Sequence, residues 1–391
     1  MRSSRLPASL AANALATAVA RQRAQGVALA DLTESNPTAV GLDYPADLLA
    51  PLADPRGLSY EPGPLGLRSA REAVAADFAR RGVPVEADRV ALTASTSEAY
   101  ALLFKLLCDP GDAVLVPRPS YPLFDHLTRL EAVDAVPYDL DDHGTWRLDV
   151  PALEQRIDAR TRAVLVVSPN NPTGSCLHAD ELAALAALCA ARGLALVGDE
   201  VFADYPIEPA GPTCSVLAQS EALTVSLGGL SKSAGLPQLK LGWIAFGGPP
   251  DEVRRTMAAY EVVADAYLSV STPVQVAAPA LIAAGSRIRS QIQARIARNL
   301  AALDRLRAPY PSISRPRVEG GWSAVLRVPA VRPEEQLVID LVDEDHVIVH
   351  PGYFFDFPRE AFLVVSLLVE PATFDAALPT LLARAAAGSA A

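Results

Sequence analysis

Residues 163–200, AVLVVSPNNPTGSCLHADELAALAALCAARGLALVGDE, contain two short apolar runs separated by a longer stretch with apolar residues at helical spacing. The runs Ala163–Val167 and Leu194–Val197 predict strands, and Ala179–Ala191 predicts a helix between them. A strand, a helix and a second strand in this order form the unit of a parallel sheet. The segment therefore predicts an α/β fold.

The same alternation continues on both sides of this segment. Ser97–Leu107 has helical spacing, and further apolar runs predict strands at Ala113–Pro117, Leu223–Ser226 and Leu241–Phe246. We therefore expect a mostly parallel sheet flanked by helices. In such a sheet the ligand crevice lies at the carboxyl ends of the strands, so the loops after these runs are the expected place of a site.

The pattern changes near residue 285. A long helical stretch, two short strand-like pieces and a last helix follow, at Ser286–Leu306, Ala324–Val328, His346–Val349 and Thr373–Ala387. This change predicts a smaller α+β domain. We assign residues 45–284 to a large domain, and residues 1–44 together with 285–391 to a small domain built from both termini.

Composition and charge limit the expected partners. Half of the 391 residues are hydrophobic and a fifth are charged, as is typical of a folded soluble protein. A formal net charge of −11, with no run of Lys or Arg, argues against a nucleic-acid partner. The basic start MRSSR is interrupted by Asn13 and followed by Arg21 and Arg23, which predicts an amphipathic helix rather than a signal peptide or a membrane span.

The four cysteines are widely spaced and form no CxxC pair: Cys108, Cys176, Cys189 and Cys214. This spacing predicts neither a zinc site nor a disulfide framework. We therefore expect no bound metal and a reducing, cytoplasmic setting.

Four polar clusters lie at or near the predicted strand ends: Thr93–Glu98 (TASTSE), Pro169–Gly174 (PNNPTG), Asp199–Phe202 (DEVF) and Ser231–Lys240 (SKSAGLPQLK). The hydroxyl residues of TASTSE stand at the start of a predicted helix, where free N–H groups and the helix dipole favour an anion such as phosphate. An ordinary N-cap, with Glu98 completing a capping box, is the alternative interpretation.

Asp199 and Lys232 carry the reactive groups of the last two clusters. Asp199 follows an apolar run, so it is either a carboxylate at the mouth of the crevice or an ordinary solvated strand end. Lys232 lies in a Ser/Gly-rich loop, and a poorly hydrated lysine there has a lowered pKa and forms imines, unlike a surface lysine. Ser231 replaces the glycine of a Walker loop, and no GxGxxG follows a strand, which argues against nucleotide hydrolysis and dinucleotide binding.

In this order and at these spacings, PNNPTG, DEVF and SKxxGLPxLKLGW resemble the motifs of the class I/II aminotransferases, which are fold type I pyridoxal-phosphate enzymes of the aspartate aminotransferase type. The resemblance runs from about Leu32 to Ser366. It implies pyridoxal 5′-phosphate as cofactor and the transfer of an amino group between a small-molecule amino donor and a 2-oxo acid.

The resemblance also implies a role for each matching residue. Lys232 would bind the cofactor as a Schiff base and then move the proton at the substrate's α carbon. Asp199 would pair with the protonated pyridine nitrogen, so that the ring accepts electrons. Asn171 would donate to the ring oxygen, and Tyr121 would stack on the ring face.

For the cofactor phosphate, the resemblance implies a cup formed by Ser95, Thr96 and Ser97. Lys240 matches a basic phosphate ligand that is more often arginine, and a lysine lacks the bidentate fork. Tyr60 matches a tyrosine that reaches the phosphate in the neighbouring subunit. This match implies a homodimer with the active sites at its interface.

Two positions near the cofactor depart from the family pattern. Phe202 replaces a tyrosine that bonds the ring oxygen in many relatives, so we expect the Schiff-base proton to be held more tightly. Gly229 replaces a serine that often assists the phosphate, so we expect one contact to be missing.

A third departure affects the substrate. Val364, within FLVVSL, replaces the arginine that clamps the substrate's α-carboxylate in relatives. Such a charge-assisted contact is worth roughly 1.5–3 kcal/mol. Either another group takes over, with Arg359 and Asn36 as candidates, or the substrate presents something other than a standard α-carboxylate.

Transamination is the leading expectation, and two alternatives stay open. The same residues support β-elimination by a lyase, because the fate of the reacting carbanion depends on the substrate and on loop contacts. A protein that binds the cofactor without catalysis is the other alternative.

Overall fold

The structure is a computed structural model that describes residues 3–7, 9–208 and 214–387. Within these ranges the chain forms thirteen strands: β1 (Ala30–Asp31), β2 (Val90–Thr93), β3 (Ala113–Arg118), β4 (Asp134–Asp142), β5 (Trp146–Leu148), β6 (Thr161–Val167), β7 (Ala195–Asp199), β8 (Thr224–Gly229), β9 (Gly242–Gly247), β10 (Ser323–Arg327), β11 (Val347–Ile348), β12 (His350–Pro351) and β13 (Phe362–Ser366). The described ranges also contain eleven α-helices: α1 (Ala14–Ala24), α2 (Arg68–Arg80), α3 (Thr96–Leu107), α4 (Phe124–Leu130), α5 (Val150–Glu154), α6 (Ala179–Arg192), α7 (Leu230–Ser233), α8 (Pro250–Asp265), α9 (Thr272–Arg307), α10 (Glu334–Asp343) and α11 (Pro371–Ala386).

An eight-stranded sheet forms the centre of the fold, in the order β2-β9-β8-β7-β6-β3-β4-β5. The inner strands β8, β7, β6, β3 and β4 pair in parallel, whereas β2, β9 and β5 pair with antiparallel neighbours. The predicted α/β fold with a mostly parallel sheet is confirmed. Each of the five strands predicted for this sheet overlaps an observed strand.

Helices cover both faces of the large sheet. Leu165 and Val197 on one face pack in the same apolar cluster as residues of α3 and α8. Val164 and Leu196 on the other face pack with residues of α6. Because both faces are covered, the inner strands are continuous apolar runs, and the polar residues that follow them meet at one edge of the sheet.

A three-stranded antiparallel sheet in the order β10-β13-β12 forms a second, smaller layer. In it Val364 is the Cα partner of Val325 on one side and of His350 on the other. The predicted strand His346–Val349 overlaps β11, and β12 begins directly after it at His350. Strand β1 pairs in parallel with β11, which brings the N-terminal segment to this part of the molecule.

Helix α9 begins earlier than the sequence predicted. The expected start was Ser286, but the helix starts at Thr272 and contains Pro279. That proline made the first half look non-helical, since proline usually ends a helix. Gly285 lies inside α9, where an added Cβ would come within 2.8 Å of the Cβ of Ala234. The domain boundary near residue 285 thus lies within a continuous helix and stays a prediction.

The N-terminal helix is shorter than expected. Helix α1 starts after Asn13, whose side chain accepts a hydrogen bond from the backbone N–H of Ala16 at 2.7 Å. Residues 1, 2 and 8 of the predicted helix lie outside the described residues, as do residues 388–391 after α11. None of the helices described is both long and apolar enough to cross a membrane.

Candidate active site

A cavity of about 500 Å³ lies at the carboxyl ends of β7 and β8, beside the start of α3. This volume is typical of sites for small molecules. Eight of the residues predicted from the sequence line it: Ser95, Thr96, Ser97, Tyr121, Asn171, Asp199, Lys232 and Lys240. The small sheet closes the opposite wall with Val364 and His350, and the turn after β12 adds Phe355.

Lys232 lies in the single helical turn α7, directly after β8. The Tyr205 hydroxyl donates to the backbone oxygen of Lys232 at 2.5 Å. Arg289 of α9 donates to the backbone oxygen of Ser233 at 2.9 Å, and the Ser233 hydroxyl donates to the Gly229 oxygen at 3.0 Å. These contacts hold the turn in place, so the amine has a defined position in the cavity.

Aromatic rings surround the Lys232 amine. Its Nζ lies 4.6 Å from the centre of the Trp322 ring and 5.4 Å from that of Phe202. The two rings meet edge to face at 5.3 Å. Burial lowers the pKa of Lys232 to about 8, and the negative charge of Asp199 opposes this shift. An appreciable fraction of the amine is therefore neutral at physiological pH.

Asp199 ends β7 and is buried. The Tyr100 hydroxyl donates to its Oδ2 at 3.1 Å, and the Val201 N–H donates to Oδ1 at 3.3 Å. Burial raises the pKa of Asp199 to about 6, while these hydrogen bonds and Lys232 act in the opposite direction. The carboxylate is thus largely ionised above that pH, and a cationic ligand beside it would favour ionisation further.

Glu200, next to Asp199, has a structural role. Its side chain accepts hydrogen bonds from the Ser215 and Ser226 hydroxyls and from the Val216 N–H, at 2.8–2.9 Å. Burial raises the pKa of Glu200. Of the two acidic residues in DEVF, only Asp199 lines the cavity in the described structure.

The N-cap interpretation of TASTSE is confirmed for Ser95, and the phosphate cup stays a prediction. Ser95 caps α3, because its hydroxyl accepts from the Glu98 N–H at 3.1 Å, and Glu98 accepts from the Ala94 N–H at 2.6 Å. The next residues, Thr96 and Ser97, line the cavity. The N-cap therefore also presents hydroxyl and N–H groups to a ligand.

Gly229 is explained by the packing of β8 on β9. A Cβ added at position 229 would lie 3.0 Å from the Leu241 oxygen and 3.1 Å from the Gly242 Cα. Both are backbone atoms, which cannot move away as a side chain does. A serine at position 229 would require the two strands to separate slightly.

The two asparagines of PNNPTG have different places. Asn170 is buried: its Oδ1 accepts from the Thr173 N–H at 3.3 Å, and its Nδ2 donates to Ser120 at 3.3 Å. Asn171 lines the cavity together with Tyr121. The first asparagine therefore shapes the loop, and the second faces the cavity.

Three predicted residues lie outside the cavity lining of the described chain. Tyr60 is 71% exposed, on a surface formed with residues 61–64. Asn36 accepts from the Thr38 N–H at 3.0 Å and is exposed. Arg359 is exposed, and its guanidinium carbon lies 5.5 Å above the Phe362 ring. The two residues proposed to replace the missing arginine are thus not placed to contact a ligand in the cavity.

Sequence reasoning missed four residues that contact the reactive groups or hold their backbone, Tyr100, Tyr205, Arg289 and Trp322, and it missed His350 of the cavity lining. Only Trp322 had a readable signal, the preceding pair Gly320–Gly321. An added Cβ on Gly320 would lie 2.7 Å from Pro169, so the loop before Trp322 packs closely on PNNPTG. Adjacent glycines often mark such a close backbone approach. The other residues reach the site from distant elements.

The chain belongs to the class I and II aminotransferases, since the family model "Aminotransferase class I and II" matches residues 46–381. The resemblance inferred from the motifs is confirmed, and the protein is an enzyme of the aminotransferase type. Members of this family generally depend on pyridoxal phosphate. No cluster of three or more metal-binding side chains occurs in the described part of the chain.

Comparisons with individual proteins support this family assignment. The chain is 28% identical over 362 residues to the alanine aminotransferase of Mycobacterium tuberculosis (strain ATCC 25618 / H37Rv), covering 87% of this chain and 81% of that one. Its fold matches the alanine aminotransferase from Pyrococcus furiosus with a TM-score of 0.89, at 23% identity over 98% of this chain and 99% of that chain. A partial likeness, 30% identical over 236 residues, covers 58% of this chain and 50% of the S-alkyl-thiohydroximate lyase SUR1 of Arabidopsis thaliana.

Proposed function

We propose that this enzyme holds pyridoxal 5′-phosphate through a covalent bond to Lys232 and uses it to move an amino group between a small-molecule donor and a 2-oxo acid. The observation that carries the proposal is the meeting of Lys232 and Asp199 in one buried cavity, from the ends of adjacent strands. The pKa of the amine is lowered to about 8 and that of the carboxyl is raised to about 6. Displaced pKa values in a cleft are typical of reactive sites.

The other lining residues fit a phosphorylated pyridine. The N–H groups of Thr96 and Ser97 lie in the first turn of α3 and have no partner within the helix, so they are suited to an anion. Lys240 also lines the cavity and would add a positive charge to that phosphate subsite. Tyr121 and Asn171 would hold the ring by stacking and by a hydrogen bond to its oxygen.

When bound, pyridoxal phosphate supplies an aldehyde that takes up the amino group and a ring that accepts the electron pair of the α carbon. Lys232, displaced by the incoming donor, would take the proton from the substrate's α carbon. A pKa of about 8 lets the same amine accept and return a proton near neutral pH. Asp199 would hold the proton on the ring nitrogen, with Tyr100 fixing its orientation.

The substrates proposed first are alanine as donor and pyruvate as the matching 2-oxo acid. Support comes from the relatives named alanine aminotransferase, which align over most of the chain. The lyase likeness is confined to 58% of the chain, so β-elimination is the second candidate. A protein that only binds the cofactor is a weaker candidate, because the positioned Lys232 and Asp199 would then have no use.

We also propose a cytoplasmic homodimer. Tyr60 and Leu58 are 71% and 91% exposed, so this segment presents large apolar side chains that a second subunit would cover. In that dimer Tyr60 would reach the cofactor phosphate of the neighbouring subunit. Cys108, Cys176 and Cys189 are free thiols in the described structure, which agrees with a reducing compartment.

The covalent step can be tested unambiguously, because lysine occurs only at positions 105, 232 and 240. The protein is incubated with pyridoxal phosphate, reduced with borohydride and digested for peptide mass spectrometry. We expect a side-chain adduct at Lys232 in the natural protein and in the matched control Lys105→Arg, and none in Lys232→Arg. An adduct spread evenly over the three lysines would refute the assignment.

The reaction itself is tested with L-alanine added to the loaded enzyme. Transfer predicts a change in the cofactor's absorbance bands and release of pyruvate without ammonia. β-Elimination needs a leaving group on the β carbon, which alanine lacks, so the lyase alternative is tested with L-cysteine: pyruvate, ammonia and hydrogen sulfide released in equal amounts would identify a lyase instead. An unchanged spectrum with alanine and with every other amine would indicate a protein that binds the cofactor without catalysis.

A further inference from the structure

The wall of the cavity around Val364 lacks the arginine that the resemblance implies. Among the described residues that line the cavity, three side chains can carry a positive charge: Lys232, Lys240 and His350. The proposed function uses Lys232 for the covalent bond and Lys240 for the phosphate. His350 is the remaining group that can bind an acid.

The pairing of β12 with β13 places His350 beside Val364. The two residues are direct Cα partners, so their side chains stand on the same face of the small sheet, with Cβ atoms about 4.5–5.5 Å apart. Both line the cavity. An imidazole from the neighbouring strand thus reaches the region that a side chain at position 364 would otherwise fill.

The imidazole of His350 packs against two aromatic rings. Its ring lies 5.8 Å from that of Phe354 and 5.7 Å from that of Phe355. Its Nδ1 atom is buried and has no hydrogen-bond partner among the described residues. A buried polar atom without a partner is costly. The ring also lines the cavity and is only partly buried, so its exposed part can meet a ligand there.

We propose that His350 binds the carboxylate of the substrate in place of the missing arginine, and takes up a proton as the carboxylate enters. The inference rests on the proposed function, since it concerns the amino acid and the 2-oxo acid of that reaction. A protonated imidazole donates a charge-assisted hydrogen bond to a carboxylate oxygen. His350 therefore selects substrates that carry a carboxylate on the α carbon.

The surroundings of His350 make this proton uptake depend on the ligand. Burial lowers the pKa of His350, and Asp31 on β1 acts in the opposite direction. Asp31 itself accepts from the N–H and hydroxyl of Thr33, at 2.8 and 2.5 Å. Glu334 of α10, which packs against β12, accepts from the Tyr353 and Phe362 N–H groups. On its remaining sides His350 meets the uncharged residues of β13 and the turn 352–355.

The sign of the pH effect follows from linkage. In the ligand-free site the imidazole is mostly neutral at pH 7, because its pKa lies below the ordinary 6.5. A bound carboxylate favours the protonated form, so it raises that pKa. Carboxylate affinity is then greatest at low pH, and it falls by about tenfold per pH unit between the pKa of the free site and that of the complex.

The test compares substrates that differ only in the acid group, on holoenzyme whose adduct at Lys232 has been verified. The pairs are L-alanine with L-alaninol, and pyruvate with hydroxyacetone, measured from pH 6 to 8.5. We expect a lower KM for the carboxylate partner of each pair. The KM of the carboxylate-free partner divided by the KM of the carboxylate partner should fall as the pH rises. Titrations shared by both partners, such as that of Lys232, cancel in this ratio.

Variants assign the effect to one residue. His350→Gln keeps a neutral donor but cannot take up a proton, so we expect KM for L-alanine to rise about tenfold and the pH dependence of the ratio to disappear. L-Alaninol should be little affected. The exposed His126→Gln on α4 is the matched control and should behave as the natural enzyme. Val364→Arg in the His350→Gln background should restore the preference for the carboxylate partner.

An NMR titration of His350 tests the proposal independently of turnover. The chain has five histidines, so the His350 resonance can be assigned by comparison with His350→Gln. Adding pyruvate should move its titration to higher pH. A preference for the carboxylate-free partner, or a pH-dependent ratio that survives in His350→Gln, would overturn the proposal. Failure of the proposed function would show separately, as a missing adduct at Lys232.

Discussion

The two walls of the cavity differ in how their reactive side chains are held. On the wall formed by the large sheet, Asp199 receives a hydrogen bond from Tyr100, and the backbone of Lys232 receives one from Tyr205. On the wall formed by the small sheet, Val364 is apolar and His350 has a buried nitrogen with no hydrogen-bond partner among the described residues. The first wall is held by hydrogen bonds within the protein, whereas a bound carboxylate would complete the second. We infer that the first serves the chemistry and the second serves selection of the substrate.

The largest effect expected from this comparison is that of Asp199→Asn. The amide keeps the size of the side chain and can still accept from Tyr100, but it has no negative charge to hold a proton on a ring nitrogen. We expect kcat to fall by roughly 10²–10³-fold, as is typical when one preorganised polar group is removed. Because Asp199 lies on the wall that serves the chemistry, steady-state kinetics should show the same fold decrease in kcat with every donor.

The control for this variant is Asp251→Asn, the same change at an exposed position on α8, which should leave kcat unchanged. A loss below tenfold, or a loss that depends on the donor, would contradict the division of labour between the two walls.

The next effect concerns the pH dependence of cofactor loading. Only the neutral Lys232 amine attacks an aldehyde, and burial lowers its pKa to about 8. The neutral form is therefore the minority below pH 8 and the majority above it. We expect the rate of adduct formation to rise about tenfold per pH unit up to about pH 8 and then level off. Stopped-flow absorbance with pyridoxal phosphate measures this rate.

The reference for that profile is the same aldehyde reacting with free Nα-acetyl-lysine, which corrects for the aldehyde's own titration. The rate for an unperturbed lysine continues to rise to about pH 10. A protein profile parallel to the reference would mean that the cavity does not perturb the amine.

A smaller effect is expected for Tyr100→Phe. Tyr100 is not among the described residues that line the cavity, so this variant tests the positioning of Asp199 apart from any contact with a ligand. Its hydroxyl donates to Asp199, and this bond lowers the pKa of that carboxyl, so its removal should raise the pKa. We expect kcat near neutral pH to fall about tenfold, as is typical for a lost hydrogen bond to a charged group. The acid limb of the kcat profile should move to higher pH.

The matched control is Tyr138→Phe, which removes another buried hydroxyl, one that donates to the Leu165 oxygen at 2.8 Å. That variant should lose stability by about 1 kcal/mol without moving the acid limb. An acid limb that stays in place in Tyr100→Phe would show that Tyr100 has only a structural role.

The chemistry wall was largely predictable from the sequence. Its residues lie in short motifs directly after strands, and a parallel sheet brings the ends of such strands to one edge. Lys232, Asp199 and Asn171 were found in this way, and each lines the cavity. Their positioning partners were not found, because Tyr100 and Arg289 approach from helices whose sequences show only ordinary apolar periodicity.

The selection wall was not predictable. The sequence showed that an arginine was missing at Val364, but the two replacements proposed, Arg359 and Asn36, lie outside the cavity lining in the described structure. His350 was overlooked because its place depends on the pairing of β12 with β13, which no local pattern reveals.

The sequence by itself thus determined the α/β fold, the order of the reactive groups and the absence of an arginine at position 364, because these depend on residue type and on neighbours along the chain. The tertiary structure alone decided the burial that lowers the pKa of Lys232 and raises that of Asp199, and the proximity of His350 to Val364. The physical reason is that desolvation and cross-strand contacts arise from segments far apart in the chain, which come together only when the two sheets and α9 pack around one cavity.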